Sequence, residues 1–202
     1  MPDFRTFWDG SLRPVWDPTG VRVVTAPFTP RRVSSSERDR RLRSSAEHAL
    51  SVEGLVFPVT TGGRRAAPVS VSGFHTDHYR YDKGHLMALE LGGPDVRENI
   101  VPQWRAMNQN EKWRRMEQEI QEMALAALGA KHALAPSAWQ RSPVPSSALR
   151  MRVDVQYGRD PSIPHLFHVV VREVSPSVRG GGAGTIRYQA RIENVYSSSD
   201  LF

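Results

Sequence analysis

The sequence predicts an α+β fold: a mainly antiparallel sheet with one helix packed against it. Three observations point there. Hairpin signals occupy the first part of the chain, a single long amphipathic repeat runs from Asn108 to Leu128, and alternating or apolar β-runs fill the last third. A length of 202 residues suits one domain. Within it we read an N-terminal hairpin and basic helix over 1–53, a central core over 54–129, and C-terminal strands over 130–202.

Asp17-Pro18-Thr19-Gly20 is a turn signal, and the β-branched run Val21-Arg22-Val23-Val24-Thr25 after it reads as a hairpin arm. Ser34-Ser35-Ser36-Glu37 supplies cap chemistry, which predicts an arginine-rich helix over Arg38 to Leu50 with a solvated basic face. Leu55 to Val59 and Pro68 to Ser72 flank Thr61-Gly62-Gly63-Arg64-Arg65, giving a second hairpin or a strand-loop-strand. Trp113, Met116, Ile120, Met123 and Ala127 recur at spacings of 3, 4, 3 and 4, the period of a helix with one apolar face, and Gly129 stands in the usual closing position. Pro136, Pro143 and Pro145 mark a loop. Leu149 to Tyr157, Leu166 to Val174 and Ile186 to Val195 read as strands. Gly180-Gly181-Gly182-Ala183-Gly184 lacks the Gly-Lys-Ser/Thr ending of a nucleotide loop and no helix follows it, so it is a strand connection.

The charge balance is +6, with 24 Arg against three Lys (Lys83, Lys112 and Lys131). An excess of guanidinium groups suits a polyanionic partner, because each can grip a phosphate with two hydrogen bonds. There is no cysteine, which excludes disulfides, thiolate nucleophiles and Cys-based zinc or iron–sulfur sites. The apolar stretches are far shorter than the ~20 residues of a membrane span. Met1-Pro2-Asp3-Phe4-Arg5 lacks the apolar run of a secretory signal, so any export is expected to use another route.

Groups that catalysis uses concentrate between residues 75 and 117: His75, Asp77, His78, Arg80, Asp82, Lys83, His85, Glu90, Asn99, Asn108, Asn110 and Glu117. His75-x-x-His78 has a workable metal-ligand spacing, while a histidine that takes a proton from water is the alternative, since imidazole titrates near neutrality. Surface loop histidines are the plain reading of His75 and His78.

Around His85 the neighbours carry more. Asp82-Lys83-Gly84-His85 is followed by Gly92-Gly93, by Glu98-Asn99-Ile100-Val101-Pro102-Gln103, and then by Asn108, Trp113 and Glu117. In order and spacing this set resembles the DNA/RNA non-specific endonucleases of the ββα-metal superfamily over about residues 80 to 120. Their signature is Asp-Arg-Gly-His at a strand end, an Asn-(Ile/Leu)-(Val/Thr)-Pro-Gln segment, and a helix bearing an Asn and, after an aromatic residue, a Glu. The resemblance implies a ββα-metal nuclease core over 54–129. It implies His85 as the general base that activates the attacking water, Asn108, five positions after Gln103, as the metal-binding asparagine, and Glu117, four after Trp113, reaching the metal through water. Asn99 matches a structural asparagine near the site. The implied cofactor is Mg²⁺, with Mn²⁺ as substitute, and the implied substrate is DNA and/or RNA, cut without regard to sequence because phosphate contacts position without reading bases. Arg80, Arg105, Arg114 and Arg115 are the phosphate contacts nearest the motif.

Two departures stand out. The family's arginine is Lys83 here, which keeps the charge and loses the planar two-pronged grip. Asn108 and Glu117 are nine residues apart where eight is more usual, and nine steps of about 100° set them on opposite faces of a regular helix. Either the helix starts irregularly or bulges near Gln109, or Asn110, seven before Glu117, is the ligand instead. Many relatives are bacterial toxin domains or injected effectors, which implies delivery by a specialised system and an acidic immunity or inhibitor protein as a second partner; a cytoplasmic housekeeping or scavenging nuclease fits the residues equally. Two competing functions stand beside these. One is a catalytically weak or inactive basic nucleic-acid-binding protein on the same fold, and the other is a zinc hydrolase built on His75, His78 and His85.

Overall fold

The computed structural model describes residues 22–27, 47–60, 81–110, 112–142, 145–158, 163–175 and 184–194. Its strands in chain order are β1 (Arg22–Pro27), β2 (Glu47–Val56), β3 (Tyr81–His85), β4 (Ile100–Trp104), β5 (Ala148–Tyr157), β6 (Pro164–Val174) and β7 (Thr185–Glu193). The helices are α1 (Arg105–Asn110), α2 (Lys112–Leu128) and α3 (Pro136–Arg141). Strands β1-β2-β5-β6-β7 form one antiparallel sheet in that order, and β3-β4 form a second, two-stranded antiparallel one. The protein is therefore α+β, with a mainly antiparallel sheet and a helix packed on it.

The alternation of β5 shows why the large sheet has one dry face. Leu149, Met151, Val153 and Val155 are buried, while Arg152 and Gln156 on the opposite face are exposed, as the period of two requires. Helix α2 covers the dry face with Trp113, Met116, Ile120 and Ala124. The Trp113 ring meets Phe167 of β6 edge-on, with centroids 4.9 Å apart. The apolar row bends toward Ala124, and the expected Met123 and Ala127 are only partly buried at its margin. Gly129 closes the helix at φ +64°, with Gly129 N–H donating to Ala126 O and Ala130 N–H to Leu125 O, the paired bonds of a Schellman ending.

The small sheet is joined to the large one by Asn194, which follows β7. Its buried amide accepts from Trp104 N–H at 2.6 Å and donates to Pro102 O at 3.0 Å and Pro164 O at 2.7 Å. One side chain thus satisfies backbone groups of β4 and β6 together, where water would otherwise be needed.

Three sequence expectations are corrected. The helix over Arg38 to Leu50 does not hold at its end: Glu47 to Leu50 begin β2, which runs unbroken across the expected 53/54 junction with β1 on one edge and β5 on the other. Ladder pairing of Glu47 to Ala49 with β1 outweighs the helix preference of Ala49 and Leu50. Pro136 opens α3 at its first turn instead of marking a loop, a position where its missing N–H costs nothing. The single helix from Asn108 is divided into α1 and α2. The strand expectations of the last third agree with β5, β6 and β7 to within two residues. The Asp17–Gly20 turn, the Ser34–Ser36 cap, the Pro68–Ser72 run and Gly180–Ala183 lie outside the described residues.

Candidate active site

His85 is the last residue of β3 and pairs with Ile100 of β4. The glycine before it has a steric reason: a Cβ on Gly84 would lie 2.2 Å from the Gln103 side chain, which crosses beneath it, fully buried. Gln103 Nε2 in turn donates to His85 O at 3.3 Å. The strand end is therefore held from its neighbour.

The chain then folds back on itself around Asn99. This buried side chain accepts from Met87 N–H at 3.0 Å and donates from Nδ2 to Met87 O and Pro94 O, each at 2.9 Å. Leu86 N–H donates to Asn99 O as well. Between those anchors Gly92 adopts φ +88°, and Gly93 passes so close to Met87 that a Cβ would sit 2.0 Å from its carbonyl oxygen. The returning loop brings Asp95 to His85, with Oδ1 3.2 Å from Nε2. Segment 57–59 holds the other side of the loop, Phe57 N–H donating to Leu91 O and Val59 N–H to Glu90 O.

Asp82 fastens α1 to β3. Its carboxylate accepts from Arg105 Nε at 3.1 Å, Gln109 Nε2 at 2.6 Å and, more distantly, Asn108 Nδ2 at 3.4 Å. With the amide nitrogen of Asn108 turned to Asp82, its carbonyl oxygen remains as a donor atom for a ligand. On α2, Glu117 accepts from Trp113 Nε1 at 3.0 Å and from Arg114 Nη1 at 3.5 Å. Burial pushes the Glu117 carboxyl up to about 7; Arg114 opposes the rise, and the neighbouring Glu90 adds to it.

Lys83, Gly84, His85, Ala88, Leu89, Glu90, Asn108 and Glu117 line one cavity of about 190 Å³. The division between α1 and α2 lets Asn108 and Glu117 share it despite their nine-residue spacing. Asn99 lies beneath the site and does not line it. Arg105 and Arg114 flank it through their carboxylate partners, and Arg115 is exposed on α2. Arg80, His75, His78 and the side chain of Asn110 lie outside the described residues.

Sequence reasoning missed Asp95 and gave Glu90 no role. Glu90 had a signal, as a carboxylate five residues from His85. Asp95 had none, because its reach depends on Asn99 closing the loop.

Among the described residues no three His, Cys, Asp or Glu side chains are grouped to hold a metal. The cavity instead offers the Asn108 carbonyl with the Glu117 and Glu90 carboxylates, all oxygen donors, beside room for water. Such a set fits a hard, hydrated dication of the Mg²⁺ type, which needs only one or two protein ligands.

Two antiparallel strands are followed by helices, and the histidine at the strand end lines one cavity with oxygen donors from those helices. Residues 42–131, somewhat under half of the chain, match the family model Endonuclea_NS_2, DNA/RNA non-specific endonuclease. That stretch is similar to this nuclease family. No curated protein matches the sequence. Among solved structures the chain is similar to Sda1 nuclease with bound zinc ion, at 15% identity and a TM-score of 0.39, covering 80% of this chain and 53% of that one. The chain thus spans about half the length of that nuclease.

Proposed function

We propose that residues 1–202 act as one nuclease domain that hydrolyses phosphodiester bonds of DNA and/or RNA without sequence preference, with Mg²⁺ as cofactor and Mn²⁺ as substitute. The observation that carries this is the single cavity shared by His85, Lys83, Asn108 and Glu117. A divalent cation held by Asn108 and, through water, by Glu117 supplies positive charge for the oxygens of the phosphate. His85 takes a proton from water as the water oxygen bonds to phosphorus and the bond to the 3′ oxygen breaks; that oxygen takes up a proton from solvent. Lys83, exposed at the cavity wall, offers its ammonium group to a non-bridging oxygen, a point charge where an arginine would give two hydrogen bonds. Arg80, Arg105, Arg114 and Arg115 hold the flanking phosphates.

The test is incubation of plasmid DNA and of RNA with the protein in Mg²⁺, in Mn²⁺, in Zn²⁺ and with chelator. Cleavage in Mg²⁺ that the chelator abolishes is expected. Binding without cleavage points to the inactive nucleic-acid-binding alternative, which the Lys83 replacement favours, and cleavage in Zn²⁺ alone points to the histidine zinc site. A toxin or effector role, with an acidic immunity or inhibitor protein, rests on the family resemblance; growth arrest on expression inside a bacterium tests it.

A further inference from the structure

We propose that Asp95 is a positioning residue for His85: it fixes the imidazole through Nε2, leaves Nδ1 as the nitrogen that takes the proton, and counters the charge that results. The proposal rests on the phosphodiesterase reading above. A neutral imidazole has one donor nitrogen and one acceptor nitrogen, and an ionised carboxylate only accepts. With Asp95 Oδ1 3.2 Å from Nε2, the proton sits on Nε2 and the lone pair on Nδ1. Among the described residues Nδ1 has no hydrogen-bond partner. When Nδ1 takes a proton from water, the imidazolium keeps its Nε2–H bond to Asp95 and later returns the extra proton to solvent.

Two further observations separate this contact from a chance surface pair. The side chains are 12% and 24% exposed, so the pair is screened less than one in open solvent. The loop is also built to deliver it: Gly92 in the left-handed region, Gly93 against the Met87 carbonyl, and Asn99 bonded to the carbonyl of Pro94, the residue just before Asp95. Lys83, Glu90 and Glu117 line the same cavity as His85 and act on its charge from β3, the loop and α2. Asp95 is the carboxylate in contact.

The test compares steady-state cleavage of plasmid DNA in Mg²⁺ by wild type, Asp95→Ala, Asp95→Asn, Asp95→Glu and His85→Ala across pH. The Ala variant is expected to lose about 100-fold in kcat, with KM changed by less than about threefold. The Asn variant keeps an acceptor oxygen but no charge. It is expected to lose about tenfold in kcat, with KM changed by less than about threefold, because the imidazolium formed in the step has lost its counter-charge. The Glu variant, which restores the carboxylate, is expected to recover most of the lost kcat. If Asp95→Ala fails to fold, Asp95→Asn carries the test alone. Wild-type kcat in Asp95→Asn, with His85→Ala inactive, overturns the proposal and leaves the nuclease reading standing. An active His85→Ala overturns both.

Discussion

Asn108 and Glu117 line one cavity from two separate helices, α1 ending at Asn110 and α2 beginning at Lys112. A straight helix would have set them on opposite sides, so the division makes the oxygen-donor set. Asp82 adds the second constraint by taking the nitrogen of the Asn108 amide. Replacing Asn108 by Ala is therefore expected to weaken Mn²⁺ binding by about 10- to 100-fold, whereas Asn110→Ala changes it by less than about threefold. Electron paramagnetic resonance titration of free Mn²⁺ measures both. The reverse ranking makes Asn110 the ligand.

Glu117 links the site to stability. Its folded value of about 7 lies above the ordinary 4.5, so the folded protein holds a proton that the unfolded chain releases between those values. Stability of the metal-free protein consequently falls as pH rises from about 4.5 to about 7 and is level above that, a cost on the order of 3 kcal/mol. Glu117→Gln keeps the acceptor for Trp113 without the charge. It is expected to melt higher than wild type at about pH 8 and to lack the Glu117 part of the slope. Parallel melting curves of the two proteins across this range would show that burial does not burden this carboxylate.

The loop between His85 and Asp95 is the next point of sensitivity. Asn99→Ala strands one backbone N–H and two carbonyls of that loop, which is expected to cost about 3 kcal/mol or more, read as a fall in the midpoint of urea unfolding. Gly93→Ala forces Cβ against the Met87 carbonyl, a backbone atom that cannot swing aside. It should lower the midpoint by an amount on the order of 1–3 kcal/mol and, by displacing Asp95, reduce kcat as well. A Gly93→Ala variant with wild-type stability and rate would mean that the loop does not set the site.

What could be read from the sequence follows from how local each signal is. The strands of the last third and the Trp113–Met116–Ile120 face announce themselves through periods of two and 3.6 within a short window. Asp82 to His85 and Ile100 to Gln103 lie on paired strands, with Asn99 just before the second, and their fixed spacings made the site visible before its geometry was. Features decided by distant partners were not legible. Glu47 to Leu50 begin a strand because β1 pairs alongside them, Asn194 matters because it reaches β4 across 90 residues, and Asp95 meets His85 only after Asn99 has folded the loop. The nine-residue spacing signalled either an irregular start or bulge near Gln109 or Asn110 as the ligand; the interruption itself, α1 ending at Asn110 and α2 beginning at Lys112, was not legible.

In the proposed function His85 moves the proton, and a separate set of oxygen donors holds the cation. Single-turnover cleavage of DNA in Mg²⁺ by His85→Ala, with Mn²⁺ and DNA affinities measured on the same preparation, tests this most directly. A loss of cleavage of about 10³-fold or more is expected, with both affinities kept within about threefold of wild type. Cleavage by His85→Ala near the wild-type rate would contradict it.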